Sequence, residues 1–82
     1  MKIKILGTGE AKSQQLEKTI RTSIEDIGID AEIEEVKDID SIMEYPIIAP
    51  PGLVIDEELV CSGRTPSKVE VHGFLLTALA RE

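Results

Sequence analysis

Cysteine is nearly absent from this chain. Cys61 is the only cysteine in 82 residues, so no intrachain disulfide can form and no disulfide framework points to an oxidising compartment. A closed zinc centre takes four ligands, which one cysteine and one histidine, His72, cannot supply. Aromatic residues are as scarce: Tyr45 and Phe74 are the whole set, and the core must be aliphatic. Basic residues are outnumbered, with nine Lys+Arg against sixteen Asp+Glu and a formal net charge of −7. An acidic surface repels nucleic acid and anionic membranes, so neither is an expected partner. No apolar run approaches the ~20 residues of a membrane span. The N-terminus has no apolar core of a secretion signal, because Lys2-Ile3-Lys4 already alternates as a strand does. The expectation is a soluble, cytoplasmic protein.

A hydrophobic fraction of 41% is enough for a globular fold, and a chain of this length has room for one modest core. Residues 1–82 are therefore read as a single domain. Much of the acid lies between Asp30 and Glu44. That run lacks the spaced ligands and glycine of a calcium loop and reads as a solvated face. Neither a metal nor a cofactor is expected.

Periodicity gives the order of elements. Lys2–Leu6 alternates and is rich in β-formers, and it stops at Gly7-Thr8-Gly9. From Glu10 to Ile27, Leu16, Ile20, Ile24 and Ile27 recur at helical spacing on one face. Glu10 falls at the positive end of the helix dipole, and Gly28 is placed to stop the helix. Ala31–Val36 reads as a second strand, at a sheet edge because Glu32, Glu34 and Glu35 discourage pairing with other chains. A helical crossover makes the two strands parallel. Asp38 or Asp40 can cap a short helix with Ile39, Ile42 and Met43 inward, ended by Tyr45-Pro46. Leu53–Ile55 and Leu59–Ser62 form a hairpin around Asp56-Glu57-Glu58, a turn without glycine. Thr65-Pro66 reads as an N-cap and first helical residue, leading to a last helix with Val71, Phe74, Leu75, Ala78 and Leu79 on one stripe. The order is βαβαββα.

This order, with a glycine-rich junction after the first strand and a proline pair before the third, resembles a minimal thioredoxin or glutaredoxin fold. The nearest resemblance is to the small redox-active-disulfide family of archaeal and bacterial thioredoxin-like proteins. It is carried by Lys2–Gly9, Gly28–Glu32, Asp38–Tyr45, Leu53–Asp56 and Gly63–Lys68, in order along nearly the whole chain. The resemblance implies an α/β fold in which a four-stranded mixed sheet is flanked by three helices. It also implies that a Cys-x-x-Cys pair would fall on Glu10 and Ser13, and that the Pro50–Pro51 bond is cis, presenting backbone to an extended peptide. A thiolate is the nucleophile of disulfide exchange, so Glu10 and Ser13 cannot perform it.

Each candidate residue also has a plain reading. Glu10 and Ser13 form a relic site with a new polar role, or simply a helix start with a carboxylate at its positive end and a short hydroxyl bonding locally. Ser13 has no base beside it in sequence. Lys12-Ser13 after a glycine-rich turn invites a phosphate-loop reading, but Leu6 and Ala11 stand where that motif needs glycines. Cys61 falls toward the same end of the sheet as Glu10, and is either a lone reactive thiol or a small packing residue. Pro50-Pro51-Gly52 either shapes a peptide groove or starts a strand.

The leading expectation is a protein related to thiol-disulfide oxidoreductases but without their dithiol, binding a protein or peptide through Gly9, Glu10, Ala11, Pro50, Pro51 and Gly52. The alternatives are a monothiol or glutathione-linked protein using Cys61, and a cysteine-substituted form of an active disulfide oxidoreductase.

Overall fold

The computed structural model describes residues 1–82. Its elements are β1 (Lys2–Leu6), α1 (Ala11–Ile27), β2 (Glu32–Val36), α2 (Ile39–Ile42), β3 (Gly52–Ile55), β4 (Glu58–Ser62) and α3 (Lys68–Ala80). The strands form one mixed sheet in the order β2-β1-β3-β4, with β1 parallel to β2 and antiparallel to β3. This is the thioredoxin-like βαβαββα arrangement. The acid-rich β2 is an edge strand, and β4 is the other edge.

Alternation along β1 decides which side chains face which layer. Ile3 and Ile5 point to α1 and α3, where they pack with Leu16, Ile20, Leu53, Ile55, Cys61, Val71 and Leu75 in the main core. Leu6 points to the opposite face and meets Val54 and Ile42 of α2, with Tyr45 and Ile47 packed around them. Lys4 shares that second face. Its Nζ lies 2.8 Å from a Glu57 carboxylate oxygen and donates to the Tyr45 hydroxyl at 2.8 Å. Glu57 first and Tyr45 second therefore hold its pKa above the ordinary lysine value. This contact ties the β3–β4 turn to the segment after α2.

Three local details, at α3 and α2, depart from the sequence expectation, while the Asp38 cap, the glycine-free turn and Gly28 are as expected. The α3 N-cap is Ser67, not Thr65: Ser67 Oγ accepts from the Glu70 N–H, and the Glu70 carboxylate accepts from the Ser67 N–H. A reciprocal capping box satisfies two helix-end donors and outcompetes the proline signal two residues earlier. In α2 only Ile42 is buried, while Ile39 and Met43 are exposed, because a helix of four residues has one inward position. Asp38 caps it through the Ser41 N–H. That helix closes at Ile42, ahead of Tyr45-Pro46. The hairpin turn works without glycine because Asp56 and Glu57 both take positive φ, 47° and 69°, the primed geometry whose twist matches the flanking strands. Gly28 closes α1 in the left-handed region, its N–H bonded to Ile24 O at 2.9 Å.

Candidate functional site

The carboxyl end of β1 opens into Gly7-Thr8-Gly9, and α1 begins immediately after it. Glu10 is the N-cap of α1, but its side chain bonds no helix amide in the usual capping manner. It folds back over the loop instead. Oε2 accepts from the Thr8 N–H and the Thr8 hydroxyl, both at 2.9 Å. Oε1 accepts from the Ser13 hydroxyl at 2.5 Å. The Ser13 hydroxyl, Glu10's own N–H and the Thr8 hydroxyl, in that order, hold the carboxyl at about 2, below its ordinary value of 4.5. Hydrogen bonds to the charged form have this effect. Glu10 is therefore a fixed anion at neutral pH, and its bonds define the loop.

Ser13 is buried, and its hydroxyl lies directly over Gly7. A Cβ on Gly7 would stand 2.0 Å from Ser13 Oγ and 3.0 Å from Ser13 Cβ. The close approach of the helix start to the strand end therefore requires glycine. Gln14 Nε2 donates to Gly9 O at 2.9 Å, and Gly9 itself has φ 91°. Ala11 is exposed on the first turn.

The sheet register brings the proline pair to this end of the molecule. Gly52 lies opposite Leu6, so Pro51 precedes β3 where Gly7 follows β1. The Pro50–Pro51 peptide bond is cis. Pro51 is buried and its carbonyl accepts from the Gly63 N–H at 3.0 Å, whereas Pro50 is exposed. Ile48, two residues before Pro50, is 94% exposed. Gly9, Glu10, Ala11, Pro50, Pro51 and Gly52 thus gather at one rim of the sheet.

Cys61 lies opposite Leu53, which lies opposite Ile5. It is at the same end of the sheet as Glu10 but inside it: the residue is 8% exposed and belongs to the main core, with its thiol directed at Arg64 O, 3.9 Å away. The rim holds no thiol.

Three contributors were missed by the sequence reading. Glu35 and Lys37, from the end of β2, join Gly7, Gly9, Ser13 and Gln14 around a recess of about 200 Å³. Thr8 was passed over as a turn residue. A signal for the first pair exists in the parallel pairing, since Leu6 aligned with Val36 puts the residues after each strand side by side.

A mixed four-stranded sheet with a helix start and a proline-preceded strand meeting at one rim defines a thioredoxin-like protein. The thioredoxin domain family matches residues 1–76, and the chain belongs to that family. It is 48% identical over 75 residues to a thioredoxin of Methanothermobacter thermautotrophicus, covering 92% of this chain and 97% of that one. It is 38% identical over 77 residues to a thioredoxin of Methanocaldococcus jannaschii, covering 94% and 88% of the two chains.

Proposed function

We propose that this chain is a thioredoxin-family protein that has given up dithiol chemistry and serves as a protein-binding module, taking an extended segment of a partner at the rim formed by Gly9, Glu10, Ala11, Pro50, Pro51 and Gly52. One observation carries the reading. The first turn of α1 offers a carboxylate and a hydroxyl bonded to each other at 2.5 Å, while the only thiol is packed in the core. Disulfide exchange needs a thiolate with access to its target, and the rim supplies none. What the rim does supply is the exposed residues Ala49 and Pro50 and a fixed negative charge at Glu10, which favours a partner segment that is neutral or basic where it touches. We place the protein in the cytoplasm, where no structural disulfide is called for.

The thioredoxin names of both relatives favour a second reading, in which Glu10 and Ser13 substitute for the cysteines of an active disulfide oxidoreductase. The monothiol alternative draws no support from a thiol that is 8% exposed.

Insulin reduction with dithiothreitol as electron source tests the catalytic half. The chain and its Cys61→Ser variant are both expected to match the uncatalysed rate, and turnover by the chain would overturn the proposal. The Glu10→Cys/Ser13→Cys variant is expected to form a reducible disulfide and gain activity. Titration of the ¹⁵N-labelled protein with reduced, alkylated insulin B chain tests the binding half. Shifts are expected at Gly9, Glu10, Ala11 and Gly52, and none at millimolar peptide would sink it.

A further inference from the structure

Helix α3 is apolar on both sides. Its inner face, Val71 and Leu75, is buried against the sheet and α1. Its outer face carries Val69, Gly73, Leu76 and Ala80 at spacings of four, three and four, which is one continuous stripe. Val69 is 82% exposed and Leu76 53% exposed, and no residue from Gly73 to Ala80 carries a charge. A helix that is hydrophobic all round is ordinarily buried on both sides. Nothing within this chain covers the outer side.

We infer that the outer face of α3 docks on the same face of a second copy, in an antiparallel pair of helices crossing at Gly73. Three observations select this occupant. The stripe is self-complementary about its glycine, because Val69 lies one turn before Gly73 and Leu76 one turn after. A two-fold axis at Gly73 therefore sets each Val69 against the partner's Leu76, as an isologous interface requires. Gly73 itself has no internal role: a Cβ there would meet nothing within 4 Å. A glycine in a helix interior is unfavourable relative to alanine, and close approach of a second helix gives it a use.

The charge distribution permits the pairing. Between Asp30 and Glu44 seven carboxylates face one lysine, Lys37, which accounts for six of the seven net negative charges. From Arg64 to Glu82 three cations stand against two carboxylates. The charges beside α3 are already matched, Arg64 with Glu70 at 2.7 Å, Lys68 with Asp26 at 2.6 Å, and Arg81 with Glu58. Most of the acid that would drive two copies apart sits on β2, α2 and the segments flanking them. A groove of about 550 Å³ runs between β4 and α3, lined by Val60, Phe74, Thr77 and Ala78 together with the charged Asp56, Glu58, Arg81 and Glu82, so the apolar surface offered for docking is the stripe itself.

A helix of 13 residues is ~20 Å long, so the contact falls short of the ~800 Å² per partner of a standard interface. The dimer is accordingly weak, with a Kd on the order of 0.1–1 mM. Sedimentation equilibrium of the full chain up to 2 mM, in low and high salt, reads it directly. The expected mass rises from 9.0 kDa toward twice that value, without weakening as salt screens the residual repulsion. Leu76→Glu is expected to weaken association at least tenfold, while Ile48→Glu leaves it unchanged. Gly73→Ala separates packing from folding: thermal stability at micromolar concentration rises, and association weakens. A chain that stays at 9.0 kDa at 2 mM overturns the inference. So does dimerisation that survives Leu76→Glu, or that Ile48→Glu abolishes.

Discussion

Helices α1 and α3 lie on the same face of the sheet, against the same core, and their outward sides are opposites. Along α1 the exposed positions after Ala11 are Lys12, Gln14, Gln15, Lys18, Arg21, Thr22, Glu25 and Asp26, a surface that water satisfies. Along α3 they include Val69, Gly73 and Leu76. Their starts differ as well. Helix α3 begins in a reciprocal Ser67–Glu70 box that anchors the helix itself. Helix α1 begins with a carboxylate turned away from its own amides to organise the loop before it. One helix thus spends its amino end on a site and leaves its flank to solvent. The other has an ordinary amino end and an unsatisfied flank. Position in a shared layer fixes which side of a helix is buried, but not what its other side is for.

Leu75 and Leu76 are adjacent residues of α3 on opposite sides of that comparison, at 1% and 53% exposure. Leu75→Ala should cost about 3 kcal/mol in urea unfolding, the range for a buried leucine whose cavity cannot close. Leu76→Ala should change monomer stability by less than about 0.5 kcal/mol, as at most surface positions. Equal losses at both sites would show that the flank of α3 is covered within the monomer, and the contrast between the helices would fail.

Gly7 sharpens the same comparison at the α1 start. Gly7→Ala must push apart Ser13 and the strand end, because both the hydroxyl and the Cβ of Ser13 crowd the new methyl. A loss of about 2 kcal/mol is expected, the usual scale of overpacking in a tight contact, with the Glu10–Ser13 bond broken. Ser13→Gly should recover part of that loss in the double variant, even though glycine is a poorer helix residue, since it removes the Cβ as well as the hydroxyl. Chemical denaturation of the four proteins closes the cycle. A Gly7→Ala protein as stable as the parent would mean that the helix start is not held against the strand.

Most of this fold is legible in the amino-acid order because local signals agree with burial. The alternation of Lys2–Leu6, the four-residue spacing of Leu16, Ile20 and Ile24, and Gly28 in the left-handed region each specify one outcome. Errors came where two signals competed within a few residues. Thr65-Pro66 is a good helix start, but Ser67 with Glu70 is a better one because it bonds two amides reciprocally. Ile39 and Met43 look like core residues, yet one turn of helix can bury only Ile42. The site was harder to see. Glu10 and Ser13 could be placed at a helix start from the residues, but their bond to each other and the arrival of Glu35 and Lys37 depend on the parallel register of β1 and β2. The exposed flank of α3 is not legible in the spacing, which picks out the stripe Val71, Phe74, Leu75, Ala78 and Leu79 but leaves Val69 and Leu76 unassigned in a helix with few polar positions.

The smallest expected effect concerns the two carboxylates at the helix starts, Glu10 and Glu70, each held at about 2, below the ordinary 4.5. The Ser13 hydroxyl is the leading cause for Glu10, and Arg64 for Glu70. A carboxyl whose folded pKa lies below its unfolded value contributes stability in full above about 4.5, and loses it as pH falls toward 2. Both groups should therefore steepen acid unfolding in that window. They should separate under salt and substitution. Glu70 is bonded to an exposed arginine, so added salt should weaken its share. The leading supports of Glu10 are a neutral hydroxyl and an amide, which salt screens little. Glu10→Gln should flatten the stability–pH slope between 4.5 and 2 to the same extent in low and high salt, whereas the flattening by Glu70→Gln should shrink as salt rises. If the Glu10 contribution also vanished in salt, its anchor would be a distant charge, and the loop would owe its shape to something other than Ser13 and Thr8.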